Sequence, residues 1–177
     1  MRLSRIQPPA AEPVTLDEAK YQCKVRHTQA DAALTRAIRA ARELAEQHTG
    51  RALITQQWRQ TDPCAPAEIR LRIWPVTAID KVTVDGVDLT PADYTAYLGD
   101  DPRLLPNGDV VWQGRRVDVE YTAGYGASGD DVPAPITRWM LHQIANAHEH
   151  SGSVVLGISV SELTFVDHLL DPWIVPR

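Results

Sequence analysis

The apolar period of this chain changes at Gly50, and that change constrains its fold more than any other feature. Upstream, Leu34, Ile38, Ala41, Leu44 and Ala45 recur at three- and four-residue spacing, the stripe of an amphipathic helix. Downstream, residues 54–60 and 69–73 alternate apolar with polar, and 117–121 does so cleanly, which is the period of half-buried strands. The helical period then returns at Ile136, Met140, Ile144 and Ala147. A chain that runs helix, strands, helix, with strands too closely spaced for crossover helices, is predicted to be α+β. It should be a small helical bundle with an inserted antiparallel β element.

Start and stop signals set the expected bounds. Thr15-Leu16-Asp17-Glu18 is a capping box that opens a short helix over 16–25. Asp31 in the first turn and Gly50 just past the end bracket a long helix over 29–49, and prolines 133 and 135 precede a third over 135–150. Between them lies a β insertion over 52–122, with a strand over 79–84 that runs into the hairpin signal Asp85-Gly86 and a second such signal, Asn107-Gly108, ahead of Val110-Val111-Trp112. Residues 1–14, with prolines 8, 9 and 13, are expected to be an extended N-terminal arm, 15–150 the central domain, and 151–177 an apolar C-terminal arm.

Composition excludes several classes. A chain of 177 residues, 44% hydrophobic and 23% charged, can bury a core without disulfides or metal. Cys23 and Cys64 stand forty-one residues apart, which is neither a disulfide framework nor a zinc pattern. No apolar run reaches the length of a membrane span, and the opening residues lack a leader's apolar stretch, so neither membrane partner nor secretion is expected. The net charge of −5 is uneven: residues 1–60 hold ten Lys/Arg against six Asp/Glu, and 61–177 hold eight against seventeen. An acidic chain is a poor general ligand for nucleic acid, whereas a dipolar one suits head-to-tail association with copies of itself.

No constellation points to catalysis, a cofactor or a metal. Residues 124–129 spell G-x-G-x-x-G after a strand, but Asp130, Asp131, Val132 and Pro133 follow the last glycine where a dinucleotide site needs an immediate helix N-terminus. His142, His148 and His150 are spaced six and two apart, so no pair faces one ion from a helix. The pairs Asp100-Asp101 and Asp130-Asp131 are adjacent residues in turn-rich sequence and point apart. The chain is accordingly expected not to be an enzyme. Arg36, Arg39 and Arg42 form a row at i, i+3, i+6 on the long helix. That row has three readings: a solvated face with local pairs such as Arg39–Glu43, a contact with a neighbouring subunit, or a DNA-binding face.

Two blocks carry a family resemblance. The first is 13–20, PVTLDEAK, together with 40–58, AARELAEQHTGRALITQQW; the second is 119–126, VEYTAGYG, followed by 132–136, VPAPI. Together they resemble the head–tail connector (adaptor) proteins of long-tailed bacteriophages and gene transfer agents, over roughly residues 12–150. The resemblance implies a structural virion protein, located at the neck and in the host cytoplasm during assembly. It would form a ring, usually of twelve copies, between the portal protein and the head-closure (stopper) or tail protein. The ring would extend a channel through which DNA passes without specific binding. It also implies that the C-terminal segment reaches the portal, here through Leu163, Phe165, Leu169, Leu170, Trp173 and Ile174. Relatives tend to end in a Leu-Leu-x-Pro-Tyr-Arg-like string where this chain has Leu169-Leu170-Asp171-Pro172-Trp173. On that reading, deletion of 160–177 should leave a folded protein that no longer binds portal.

Overall fold

A computed structural model describes residues 1–149 and 168–176. The order is strand β1 (Arg2–Gln7), helices α1 (Leu16–Gln22) and α2 (Asp31–Thr49), strands β2 (Gln56–Asp62), β3 (Ile69–Arg70), β4 (Val76–Val84), β5 (Val87–Asp88), β6 (Tyr94–Tyr97), β7 (Arg103–Pro106) and β8 (Val117–Ala123), then helix α3 (Ala134–Glu149). The fold is α+β, and every strand pairing is antiparallel. The chain divides into two compact units, one of residues 1–10 and 50–127 and one of residues 11–49 and 128–177. Among the described residues no helix is long and apolar enough to cross a membrane.

The sheet unit is built around β8, whose Val117, Val119, Tyr121 and Ala123 point inward while Asp118, Glu120 and Thr122 point out. Strand order in the larger sheet is β1-β2-β8-β4-β5, and a smaller sheet runs β3-β7-β6. Ile69, Leu71 and Leu104 join the β8 residues and Val82 in one apolar core. Trp112 is fully buried there, and its indole N–H donates to the Ala67 carbonyl at 3.1 Å. The β4–β5 hairpin closes at Asp85-Gly86 with φ of +49° and +85°, the left-handed pair that a type I′ turn demands.

Three expectations are corrected in this unit. Residues 2–7 of the expected arm are the edge strand of the large sheet, paired with β2. The prolines that suggested an arm begin only at Pro8, and Arg5 is held over the Trp58 ring at 4.9 Å. Val110-Val111-Trp112 is not a strand after Asn107-Gly108: Trp112 turns into the core while Val111 is 63% exposed. The alternation over 69–73 yields only a two-residue strand: the Leu71 N–H still donates in register to the Pro102 carbonyl, but proline has no N–H to return and the ladder ends there.

In the helical unit, α1, α2 and α3 pack on one another. The capping box is formed: Thr15 Oγ1 accepts the Glu18 N–H at 3.2 Å, and Glu18 Oε2 accepts the Thr15 N–H at 2.8 Å. Helix α1 stops at Gln22 rather than 25, where Lys24 takes a φ of +56°. Helix α2 starts two residues later than expected and ends as expected, with Gly50 at φ +74°. Its buried side comprises Leu34, Ile38, Ala41, Arg42, Ala45, Glu46 and Thr49. Leu44, read as part of the apolar stripe, is instead 52% exposed. Ile136, Trp139, Met140 and Ile144 are the buried side of α3.

Candidate functional site

The arginine row on α2 is divided by its surroundings. Arg36 and Arg39 are exposed and pair with no carboxylate among the described residues, so the local Arg39–Glu43 pair is not made. Arg42 is 3% exposed. Its Nε donates to Glu12 Oε2 at 2.7 Å and its Nη1 to Glu46 Oε2 at 3.0 Å, with Glu43 at 3.6 Å from Nη2. Burial alone would lower the guanidinium's proton affinity, but the carboxylates more than offset it and hold Arg42 above its ordinary range. Arg42 is therefore an internal clamp that ties the 11–14 stretch to α2, and it is removed from the candidate subunit contacts. Its partner at Glu12 lies thirty residues away, so helical spacing alone could not separate it from Arg36 and Arg39.

The C-terminal segment is also divided. Leu163 and Phe165 lie outside the described residues. Of the other candidates, Leu170 is 1% exposed, Leu169 and Trp173 are half-buried, and Ile174 is 41% exposed. A 3-10 turn spans Asp171–Trp173, and His168 Nδ1 lies 2.7 Å from Asp171 Oδ2 beside it. The Val175 N–H then donates to the Thr49 carbonyl at 2.8 Å, satisfying one of the orphan acceptors at the end of α2. Residues 168–176 thus fold onto their own unit, and Leu170 offers no free surface for docking.

Where the tail meets α2 and α3 it borders an open, largely apolar cavity of about 710 Å³. Leu44 and His48 of α2, Trp139 and Gln143 of α3, and Ile174 and Pro176 line it. Leu44 was not foreseen as a surface feature, since it falls within a pattern that reads as core, whereas Trp139, 8% exposed, borders the cavity from the buried side of α3.

The glycine string of 124–129 has a backbone explanation. A Cβ on Gly124 would sit 2.6 Å from the Thr55 backbone nitrogen, and one on Gly129 would sit 2.4 Å from the Pro13 carbonyl oxygen. The Gly126 carbonyl accepts the Thr55 N–H at 2.8 Å. Two of the three glycines are where they are because another strand of backbone passes too close for a side chain. Beside them Arg51, 8% exposed, bonds Asp100 at 2.6 Å and lies 5.9 Å over the Tyr125 ring. Among the described residues no group of three or more His, Cys, Asp or Glu is arranged to hold a metal ion.

Comparison with known proteins bears on these surfaces. Residues 13–84 match the family model of phage gp6-like head-tail connector proteins. No curated protein matches the chain. Among solved structures, a chain in the neck of an empty gene transfer agent particle, computed with C6 symmetry, matches at a TM-score of 0.82 and 23% identity. A chain in the virion of a native gene transfer agent particle matches at 0.81 and 22%, and one in the neck of a native particle computed with C12 symmetry at 0.75 and 22%. Each match covers 100% of this chain and 97% of the other. At these identities the likeness establishes the fold, from end to end.

Proposed function

We propose that this chain, whose residues 13–84 match the gp6-like head-tail connectors, is a structural connector of a phage or gene-transfer-particle neck. In this reading it transforms no substrate. Copies assemble into a ring, dodecameric in the completed particle, between the portal and the head-closure or tail protein, and the ring prolongs the DNA channel. The observation that carries the reading is the end-to-end fold likeness, at a TM-score of 0.82, to a chain in a particle neck computed with rotational symmetry. A closed ring requires heterologous contacts, in which one patch of a subunit meets a different patch of the next. Two units within one chain and an uneven charge distribution supply distinct patches.

Within this reading Arg36 and Arg39 remain candidate subunit contacts, and Ile174, with Leu169, Trp173, Leu163 and Phe165, candidate portal contacts. The exposure of Ile174 beside the apolar cavity supports a docking role for that end of the helical unit. The test is a particle preparation lacking only this gene. Heads and tails should accumulate unjoined, and images of complete particles should place the chain in a ring at the neck. Normal joining in its absence would overturn the proposal.

A further inference from the structure

Charge in the helical unit is sorted along its helices. Among the described residues, 19–39 carry Lys20, Lys24, Arg26, Arg36 and Arg39 against Asp31 alone, and 139–149 add only Glu149. Residues 11–18, 40–49 and 128–138 carry seven acids against Arg42 and Arg138, and Asp171 of the tail adds one more. Packing gathers each set at one end. The Lys20 ammonium bonds Asp31 at 2.7 Å, which joins the end of α1 to the start of α2. The end of α3 is there too: the Cys23 thiol is pushed up by burial and then by the charge of Glu149. At the other end Glu12 bonds Arg42 at 2.7 Å, and Gly129 packs against the Pro13 carbonyl, so the turn before α3 sits beside the turn before α1. Helix α2 thus runs antiparallel to α1 and α3, from the cationic end to the acidic one.

Neither end neutralises itself. Lys20 and Asp31 cancel each other, and Lys24, Arg26, Arg36 and Arg39 are exposed and pair with no carboxylate among the described residues, which leaves Glu149 as the acid of that end. Glu43, one turn beyond Arg39, turns instead toward Arg42 at 3.6 Å. At the acidic end Arg42 is taken up by Glu12 and Glu46, and Arg138, a turn into α3, is the one other cation. Asp17, Glu18, Asp130 and Asp131 are exposed there. The sixteen residues of α3 hold its two ends about 24 Å apart, about three screening lengths at physiological salt. One copy cannot bring its own two ends together.

We propose that the cationic end of the helical unit, formed by Arg36 and Arg39 on α2 and by Lys24 and Arg26 in the loop before it, seats the acidic end of the next copy's helical unit at Asp17, Asp130 and Asp131. This rests on the ring reading and gives Arg36 and Arg39 their partner within it. Different patches on one subunit make a heterologous contact, which propagates from copy to copy and closes when the rotation fits. A second copy is the occupant that uses both ends: each supplies the charge the other lacks, which speeds encounter and fixes orientation. A nucleic acid would use the cationic end alone and would be repelled by the acidic one.

The test is a charge swap in the full chain, read by sedimentation velocity over increasing protein concentration. At about 50 mM salt the wild type should self-associate, and at about 500 mM, where screening shortens to a few ångströms, its association constant should fall at least about tenfold. The double variants Arg36→Glu with Arg39→Glu, and Asp17→Lys with Asp130→Lys, should each lose at least about tenfold alone. Glu18 and Asp131 are left intact because they cap their own turns. Mixed in equal amounts the two variants should recover, because each now offers the charge the other lacks. Arg36→Lys with Arg39→Lys should associate as the wild type does, which separates charge from folding. The contact is overturned if the mixture fails to recover, if either charge-reversed pair associates like the wild type, or if the wild type stays monomeric up to about 1 mM under low screening. Filter binding of DNA that is lost in Arg36→Glu with Arg39→Glu, with self-association unchanged, would reassign the cationic end to a polyanion and also overturn it. Rings in particles carrying either charge-reversed pair would sink this contact and leave the connector reading standing. Particles that join heads to tails without the gene would sink both.

Discussion

Two sets of ion pairs in this chain use the same groups to opposite ends. In the helical unit, Arg42 is buried with Glu46 and held by Glu12, side chains 4%, 7% and 32% exposed. On the sheet unit, Arg59–Glu120 and Arg116–Asp118 lie on an open face, with the arginine side chains 48% and 61% exposed. A buried cation stripped of its partners is costly, so the first set commits the chain to one local arrangement. An exposed pair in water contributes little to stability, so the second set commits the chain to far less. The difference places cohesion in the buried set and gives the exposed set little share of it.

Arg42→Ala should break that comparison most visibly. It leaves Glu46 buried without its guanidinium, and unfolding free energy measured in urea should fall by about 3–5 kcal/mol. Arg36→Ala, one helical face away and solvated, should change it by less than about 0.5 kcal/mol. Equal effects from the two would mean that the α2 row is one surface after all.

Truncation after Asp167 comes next. It removes Leu170 and Val175, 1% and 6% exposed, and the Val175 N–H that caps Thr49. Burial of two such side chains contributes about 3 kcal/mol or more, less the ordering entropy that the tail no longer loses. This reverses the expectation that the tail is dispensable for folding. Because the loss is apolar, it should barely depend on salt. A truncated chain as stable as the full one would return 168–176 to the status of an arm.

What the sequence made legible follows from range. The capping box of Thr15 and Glu18 and the turn at Asp85-Gly86 are settled by residues three positions apart or fewer, so reading them locally suffices. The α2 period survives because nineteen residues repeat it. Strand β1 was hidden because its six residues become a strand only by pairing with β2, more than fifty positions on. The inward turn of Arg42 depends on Glu12, outside its helix. Leu44 and Leu170 exchanged roles for a related reason: hydrophobicity is a property of the residue, whereas exposure depends on where remote segments land. The charged sheet face lay scattered over four segments between Arg2 and Glu120, and only strand register assembles it.

On the sheet, Arg59→Ala should cost less than about 1 kcal/mol in unfolding free energy, and that small loss should shrink further in high salt. A loss approaching that of Arg42→Ala would mean the sheet face also holds the fold together.

The smallest effect is one of pH, and it sharpens the same contrast. Burial raises the Asp118 carboxyl, but hydrogen bonds from Thr61 and Arg116, with the charges of Arg116 and Arg59, outweigh it and hold the group below the ordinary aspartate range. A folded-state value below the unfolded one means the native carboxylate binds protons less readily. Its contribution is therefore complete above about pH 4 and is lost as pH falls through the depressed value. Asp118→Asn should slightly flatten the acid side of the stability profile without moving the neutral plateau far. An Asp118→Asn profile that superimposes on the wild type at every pH would mean that the carboxylate is a bystander on its own strand.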